Sequence, residues 1–159
     1  MANILNSDEV REIVTPNISF DVTYYDTSID YAQKRYLLPI MGAAFYNDFI
    51  ANLGALPVDY QLLFDEYIQY IVAYSTAVLS VKKDLSPQTD NQGLMVNRTE
   101  WTNQGSEGKI KGQLMQLDQR LFDYRYDLVC YLSENESTFP LWDIDTASFT
   151  LEMRDYFKY

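Results

Sequence analysis

The side chains of this sequence that could do chemistry are mainly carboxylates, and two groups of them are closely spaced. Asp123 and Asp127 are four residues apart, which places both on one face of a helix, and a single residue separates Asp143 from Asp145. Divalent cations prefer oxygen ligands, so either pair has the chemistry for a metal site. A solvated acidic helix face explains the first pair more simply, and a turn explains the second. We therefore predict no metal site.

Other catalytic side chains are scarce. The sequence has no histidine, which removes the usual general base, the commonest metal ligand and every histidine-dependent triad. Its one cysteine, Cys130, follows Val129, a setting typical of a buried structural thiol. The glycines form neither a dinucleotide-binding motif nor a phosphate-binding loop. These observations predict a protein that is not an enzyme and binds no cofactor.

The charge and composition restrict the classes of partner. Acidic residues number 23 and basic residues 12, which gives a net charge of −11 at pH 7. Affinity for nucleic acid comes largely from Lys and Arg displacing counterions, so direct binding to DNA or RNA is not expected. An acidic surface can still lie beside DNA without adhering to it, or copy its charge to occupy a DNA-binding partner. The hydrophobic fraction of 47% and aromatic fraction of 15% predict a folded chain.

The sequence predicts neither export nor membrane insertion. A single cysteine rules out an internal disulfide and fits a reducing cytosol. The first ten residues, MANILNSDEV, lack the basic and apolar segments of a signal peptide, and no apolar run approaches about 18 residues. We expect a protein that stays in the cytoplasm of the cell that makes it and does not span a membrane.

The elements that would position these residues are helices, within a single domain over residues 1–159. Residues 7–54 are predicted to form the N-terminal helices. The first is short, with Ser7 as its N-cap and Pro16 after its end. Apolar residues then recur at helical spacing, interrupted by Pro39 and Gly42, which predicts two helices or one kinked helix ending at Gly54.

Two long helices, over residues 57–83 and 109–134, dominate the predicted fold. Each carries an apolar stripe in alternating steps of four and three residues, so the simplest architecture packs them as antiparallel neighbours. The tyrosines in these stripes are predicted to lie in the core or at its edge. A second stripe on the first helix places that helix at the centre. The stripes are Tyr60, Phe64, Tyr67, Ile71, Tyr74, Val78 and Val81, widened by Ile68, Val72 and Leu79, and then Ile110, Leu114, Leu117, Leu121, Tyr124, Leu128 and Tyr131.

The segment between the long helices, residues 84–108, is predicted to be an extended or hairpin-like arm. It contains the tripeptide Asn-Gln-Gly twice, and connections of this length are usually functional or disordered. Ordering the arm costs backbone entropy, so we expect it to order against an adjacent subunit or ring. The tail, residues 135–159, is too apolar for a solvated terminus, and it packs either on its own bundle or on another chain. The predicted fold is all-α, an elongated bundle of about four to five helices.

Two segments carry a resemblance to a known family. The segments YLLPIMGAAFYNDF and YLSENESTFPLW, with the long helices and polar arm between them, resemble head-to-tail connector, or adaptor, proteins of tailed bacteriophages. The likeness is greatest to those of Bacteroides-type phages, including the crAss-like group. It implies a virion protein assembled in the host cytoplasm. Such proteins form a homo-oligomeric ring, often a dodecamer, between the portal protein and the next tail or ring protein, and DNA passes through without specific binding.

The resemblance also implies where subunits touch. In the family, the loop between the helices and the chain termini contact neighbouring subunits or the adjoining ring. The corresponding positions here are Asn91, Gly93, Met95, Trp101, Asn103, Gly105, Phe139, Trp142, Phe149, Met153, Tyr156, Phe157 and Tyr159.

Two other classes of function fit the same composition. An acidic binding or inhibitory protein that mimics DNA would share the charge and the shortage of catalytic residues, with its acids along one exposed face. The other class is a carboxylate-dependent enzyme that uses Asp143 or Asp145. Metal-dependent stabilisation would favour that enzyme.

Overall fold

Helices account for almost all of the regular structure in the described part of the chain. The structure is a computed structural model and describes residues 3–14, 26–85, 88–90, 93–95 and 104–143. The predicted all-α bundle is confirmed. Its α-helices are α1 Ser7–Val14, α2 Asp26–Ala32, α3 Leu38–Met41, α4 Ala43–Ala51, α5 Val58–Leu63, α6 Gln69–Leu85 and α7 Gln104–Glu134, with π-helical turns at Gln33–Leu37 and Phe64–Ile68 and short strands β1 Gln88–Asp90 and β2 Gly93–Met95.

Helix α1 begins with a capping box. The Asn6 side-chain oxygen accepts hydrogen bonds from the backbone N–H groups of Asp8 and Glu9, at 2.9 and 3.0 Å. The Glu9 carboxylate accepts a hydrogen bond from the Asn6 N–H at 2.7 Å, so the pair satisfies donors reciprocally. The predicted cap, Ser7, is instead the first helical residue. Val10 and Val14 of this helix are fully buried.

The segment from α2 to α4 turns at Gly42, and Pro39 does not interrupt it. Pro39 lies in the first turn of α3, where its missing N–H is tolerated. A π-helical turn precedes it, in which the Leu38 N–H donates to the carbonyl of Gln33. The Gln33 side chain is fully buried and accepts a hydrogen bond from the Ile4 N–H at 3.2 Å, which ties the N-terminus to this turn. Gly42 has φ 73° and ψ 156°, and α4 starts directly after it.

The helical run from α5 through the second π-helical turn to α6 is the centre of the fold, as the double stripe predicted. Every residue from Ile71 to Val78 is buried, including the polar Ser75 and Thr76. Both hydroxyls donate to the carbonyl of Val72, at 3.1 and 2.7 Å, so their burial leaves no donor unsatisfied. The π-helical turn at Phe64–Ile68 was not predicted. Such a turn adds one residue to a helix, and the spacing of the apolar residues did not show where that residue was added.

Helix α7 packs antiparallel on α6. The tilted rings of Tyr131 and Tyr67 lie 5.4 Å apart, whereas the ring of Tyr124 stacks 4.7 Å from Tyr70 and 5.8 Å from Tyr74. Later residues of one helix thus meet earlier residues of the other. The predicted stripe is confirmed at its buried positions Leu117, Leu121 and Leu128, and Leu132 joins them.

The arm between the long helices is shorter than predicted. Helix α6 runs on to Leu85 and α7 already begins at Gln104, so both ends of the predicted 84–108 segment are helical. Strands β1 and β2 pair antiparallel within it, with Asp90 opposite Gly93. Strong helix formers such as Glu107, Lys109 and Lys111 explain why α7 starts early, despite its glycines.

Candidate interaction surface

The predicted contact residues between the long helices fall in two different elements. Gly93 and Met95 lie in β2, at the hairpin. Gly105 lies in the first turn of α7, and not in the predicted arm. The other predicted contact residues outside the 135–143 segment lie beyond the described part of the chain: Asn91, Trp101, Asn103, Phe149, Met153, Tyr156, Phe157 and Tyr159.

Phe139 and Trp142 are corrections to the predicted interface, because both belong to the chain's own core. Their side chains are only 1% and 5% exposed. The Trp142 indole N–H donates to the carbonyl of Ile40 at 2.9 Å, and the ring of Phe139 lies 5.7 Å from that of Phe45. A buried tryptophan usually needs a partner for its N–H, and the carbonyl of Ile40 supplies it. Up to this point, the tail therefore packs on its own bundle.

A cluster of arginine and tyrosine side chains lies between the first π-helical turn and α7. We call Tyr31, Arg35, Tyr36 and Arg125 the cationic face. The Arg35 guanidinium donates to the Tyr31 hydroxyl at 2.9 Å, and its central carbon lies 5.9 and 5.8 Å from the ring centres of Tyr31 and Tyr36. The Arg125 guanidinium lies 5.5 Å from the Tyr36 ring. These distances are typical of cation–π contacts. The hydrogen bond with Tyr31 raises the pKa of Arg35 above its usual value.

Carboxylates and tyrosines occupy the other flank of α7. We call Glu66, Tyr67, Asp127, Tyr131 and Glu134 the acidic face. Asp127 and Glu134 lie four residues before and three residues after Tyr131, so all three share one side of the helix. The carboxylates of Glu66, Asp127 and Glu134 are exposed, whereas the two tyrosines of this face are half-buried. Burial raises the pKa of Tyr67, and the negative charge of Asp127 raises it further, followed by smaller effects of Glu66 and Glu134.

Asp123 and Asp127, the first pair considered as metal ligands, lie on an open and exposed part of α7. Asp123 accepts a hydrogen bond from Gln119 at 2.9 Å and lines an open depression with Arg120, Tyr124 and Asp127. In the described ranges, no three acidic or cysteine side chains are grouped so that they could hold a metal ion. Asp143 is exposed, and Asp145 lies outside the described residues. The Asp123 and Asp127 pair thus behaves as part of a solvated helix face with Arg120 beside it.

One half-buried contact, at the junction of α4 and α5, strongly shifts the pKa of a tyrosine. The Tyr60 hydroxyl donates to the carboxylate of Asp48 at 2.6 Å. Burial raises the pKa of Tyr60 to about 12, assisted by this hydrogen bond and by the charge of Asp48. Its ring also stacks near Phe49 and Phe139 at 5.8 and 6.2 Å. The pair joins α4 to α5, so we assign it a structural role.

Sequence reasoning missed the cationic face because its members come from distant segments. Arg35 is four residues after Tyr31, a spacing that indicates contact on one helix. Arg125 comes from α7, and its guanidinium lies over the ring of Tyr36. That contact joins positions about 90 residues apart, which no local pattern reveals.

Comparisons with known proteins match the chain to a protein family. No curated protein and no solved structure matches the chain significantly. Within the described residues, moreover, no helix has both the length and the apolar character needed to cross a membrane. Residues 37–148 match a family described as a family of unknown function, DUF6712. Because the match covers well over half of the 159 residues, the chain belongs to the DUF6712 family.

Proposed function

We propose that this chain is a structural virion protein, a head-to-tail connector that forms an oligomeric ring between a portal protein and the tail. In this role the ring lines a channel through which DNA passes. The proposal starts from the resemblance of two sequence segments to phage connector proteins. A net charge of −11 suits a channel wall to which DNA does not adhere.

The observation that carries the proposal is the contact between those two segments. Trp142 of the second segment donates its hydrogen bond to Ile40 of the first, and Phe139 packs near Phe45. The two segments are about 100 residues apart in sequence, yet they pack against each other in the bundle. Their joint presence therefore supports a shared fold more strongly than two unrelated local matches would.

The proposal is tested by the mass and shape of the purified protein, alone and with the portal protein of the same virion. We expect particles whose mass is a multiple of 18.6 kDa, with a ring outline in negative-stain electron micrographs, and co-migration with the portal. A protein that remains a monomer and ignores the portal over micromolar concentrations would contradict the connector function.

An acidic inhibitory protein that mimics DNA is the second candidate. The exposed carboxylates of Asp123, Asp127 and Glu134 along α7 favour it, because a mimic needs negative charges along one exposed face. Such a protein would be a monomer or dimer that displaces DNA from a DNA-binding partner. Competition with DNA by the wild-type chain, lost on changing these three residues to amides, would support the mimic over the connector.

A further inference from the structure

The two flanks of α7 carry opposite charge and point in different directions. Arg125 reaches the cationic face, and Asp127, two residues later, belongs to the acidic face. With 3.6 residues per turn, two positions are separated by about 200° around a helix. Arg125 and Asp127 therefore diverge from one another and lie on opposite flanks of α7.

Within the cationic face, Arg35 is the side chain whose charge is open to a partner. Arg35 is exposed and its guanidinium contacts Tyr31 and Tyr36, and no carboxylate within the described part of the chain pairs with it. Lys34, one residue earlier, is instead paired with Asp30 at 2.6 Å. Tyr31 is 52% exposed beside Arg35. Arginine and tyrosine held in place by each other are the side chains that most often dominate protein interfaces.

The acidic face has the complementary chemistry. Glu66, Asp127 and Glu134 are exposed around the half-buried pair Tyr67 and Tyr131, so carboxylates surround an aromatic centre. One basic residue, Arg120, lies about two turns from Asp127 along the same helix and leaves the end near Glu134 acidic. An aromatic centre with charges at its edge is the usual arrangement of a specific protein interface.

We propose that neighbouring copies of this chain dock with the cationic face of one against the acidic face of the next. Two different but complementary surfaces on one subunit make a head-to-tail contact, and such contacts generate closed rings when the rotation closes. The partner is thus a second copy of this chain. This inference rests on the proposed function, because the connector role requires a ring, and it identifies the surfaces that would hold that ring together.

Charge reversal tests the inference. Arg35→Glu should weaken self-assembly at least about tenfold, measured by mass photometry or sedimentation at fixed ionic strength, because like charges would then face each other. Adding Glu66→Lys and Asp127→Lys to the same chain should restore assembly. Lys111→Glu is the matched control, since it changes the net charge equally at an exposed position of α7 outside both faces, and it should assemble as the wild type does. Circular dichroism confirms that each variant is folded.

The outcomes separate this inference from the proposed function. If the wild type assembles and Arg35→Glu assembles equally well, the two faces are not the contact, although the connector function stands. Failure of the triple variant to recover any assembly lost by Arg35→Glu would likewise overturn the pairing of these faces. A wild type that stays monomeric with and without the portal overturns both. Loss with Arg35→Glu, recovery in the triple variant and no effect of Lys111→Glu would establish the docking.

Discussion

At the scale of single residues, the half-buried Tyr60 and its contact with Asp48 make the free energy of unfolding depend on pH in the alkaline range. The phenol of Tyr60 would ionise near pH 10 in the unfolded chain, whereas the folded chain holds its pKa at about 12. The unfolded chain therefore releases this proton first, and the free energy of unfolding falls as pH rises from about 10 to about 12. We expect Tyr60→Phe to lower the free energy of unfolding by about 1 kcal/mol at pH 7 and to remove this part of the alkaline decline, measured by urea unfolding.

The control for this prediction keeps the geometry and removes the charge. Asp48→Asn still offers an oxygen to the Tyr60 hydroxyl, so the alkaline decline should become smaller without disappearing, because burial is the largest cause of the raised pKa. Equal slopes for the wild type and Tyr60→Phe between pH 10 and 12 would show that this tyrosine does not carry the effect.

At the scale of elements, Gly42 decides how α3 and α4 meet. With φ 73° and ψ 156° it occupies a backbone region that residues with a side chain rarely adopt. We expect Gly42→Ala to lower the free energy of unfolding by about 1 to 3 kcal/mol, measured by urea or thermal unfolding at pH 7.

Gly112 supplies the opposite control within α7. A methyl group added there would meet nothing within 4 Å, and the position lies inside a long helix. Gly112→Ala should therefore raise the free energy of unfolding by about 0.5 to 1 kcal/mol, because alanine loses less backbone entropy on folding. If both variants destabilised the protein equally, the backbone conformation of Gly42 would not be the cause.

The elements also show how far the sequence alone can go. The stripes of α6 and α7 were predictable because burial at alternating steps of four and three residues leaves a direct pattern, as at Ile71 and Leu117. The helix cap was predicted at Ser7, one residue after the observed cap Asn6, because both residue types are common at this position. The π-helical turns and the contact of Arg125 with Tyr36 depend on packing between distant segments, which no local pattern contains.

At the scale of the whole molecule, the core of the described residues includes both Ile4 and Trp142, and the Trp142 indole N–H donates to the carbonyl of Ile40. Deleting residues 150–159 removes none of these core residues, so we expect the bundle to stay folded, with a cooperative thermal transition within about 2 °C of the wild type. Under the proposed function, the same deletion should weaken association with the portal or the adjoining ring. Circular dichroism on heating and co-migration with the portal measure the two effects separately.

A longer deletion is the control that makes the shorter one informative. Ending the chain at Thr138 also removes Phe139 and Trp142, the aromatic residues that pack against Phe45 and Ile40. Losing a buried aromatic side chain costs about 3 to 5 kcal/mol, and a domain has only about 5 to 15 kcal/mol of stability, so this variant should not fold cooperatively. If deleting residues 150–159 alone abolished the cooperative transition, those residues would belong to the core, and their proposed role in docking would have no basis.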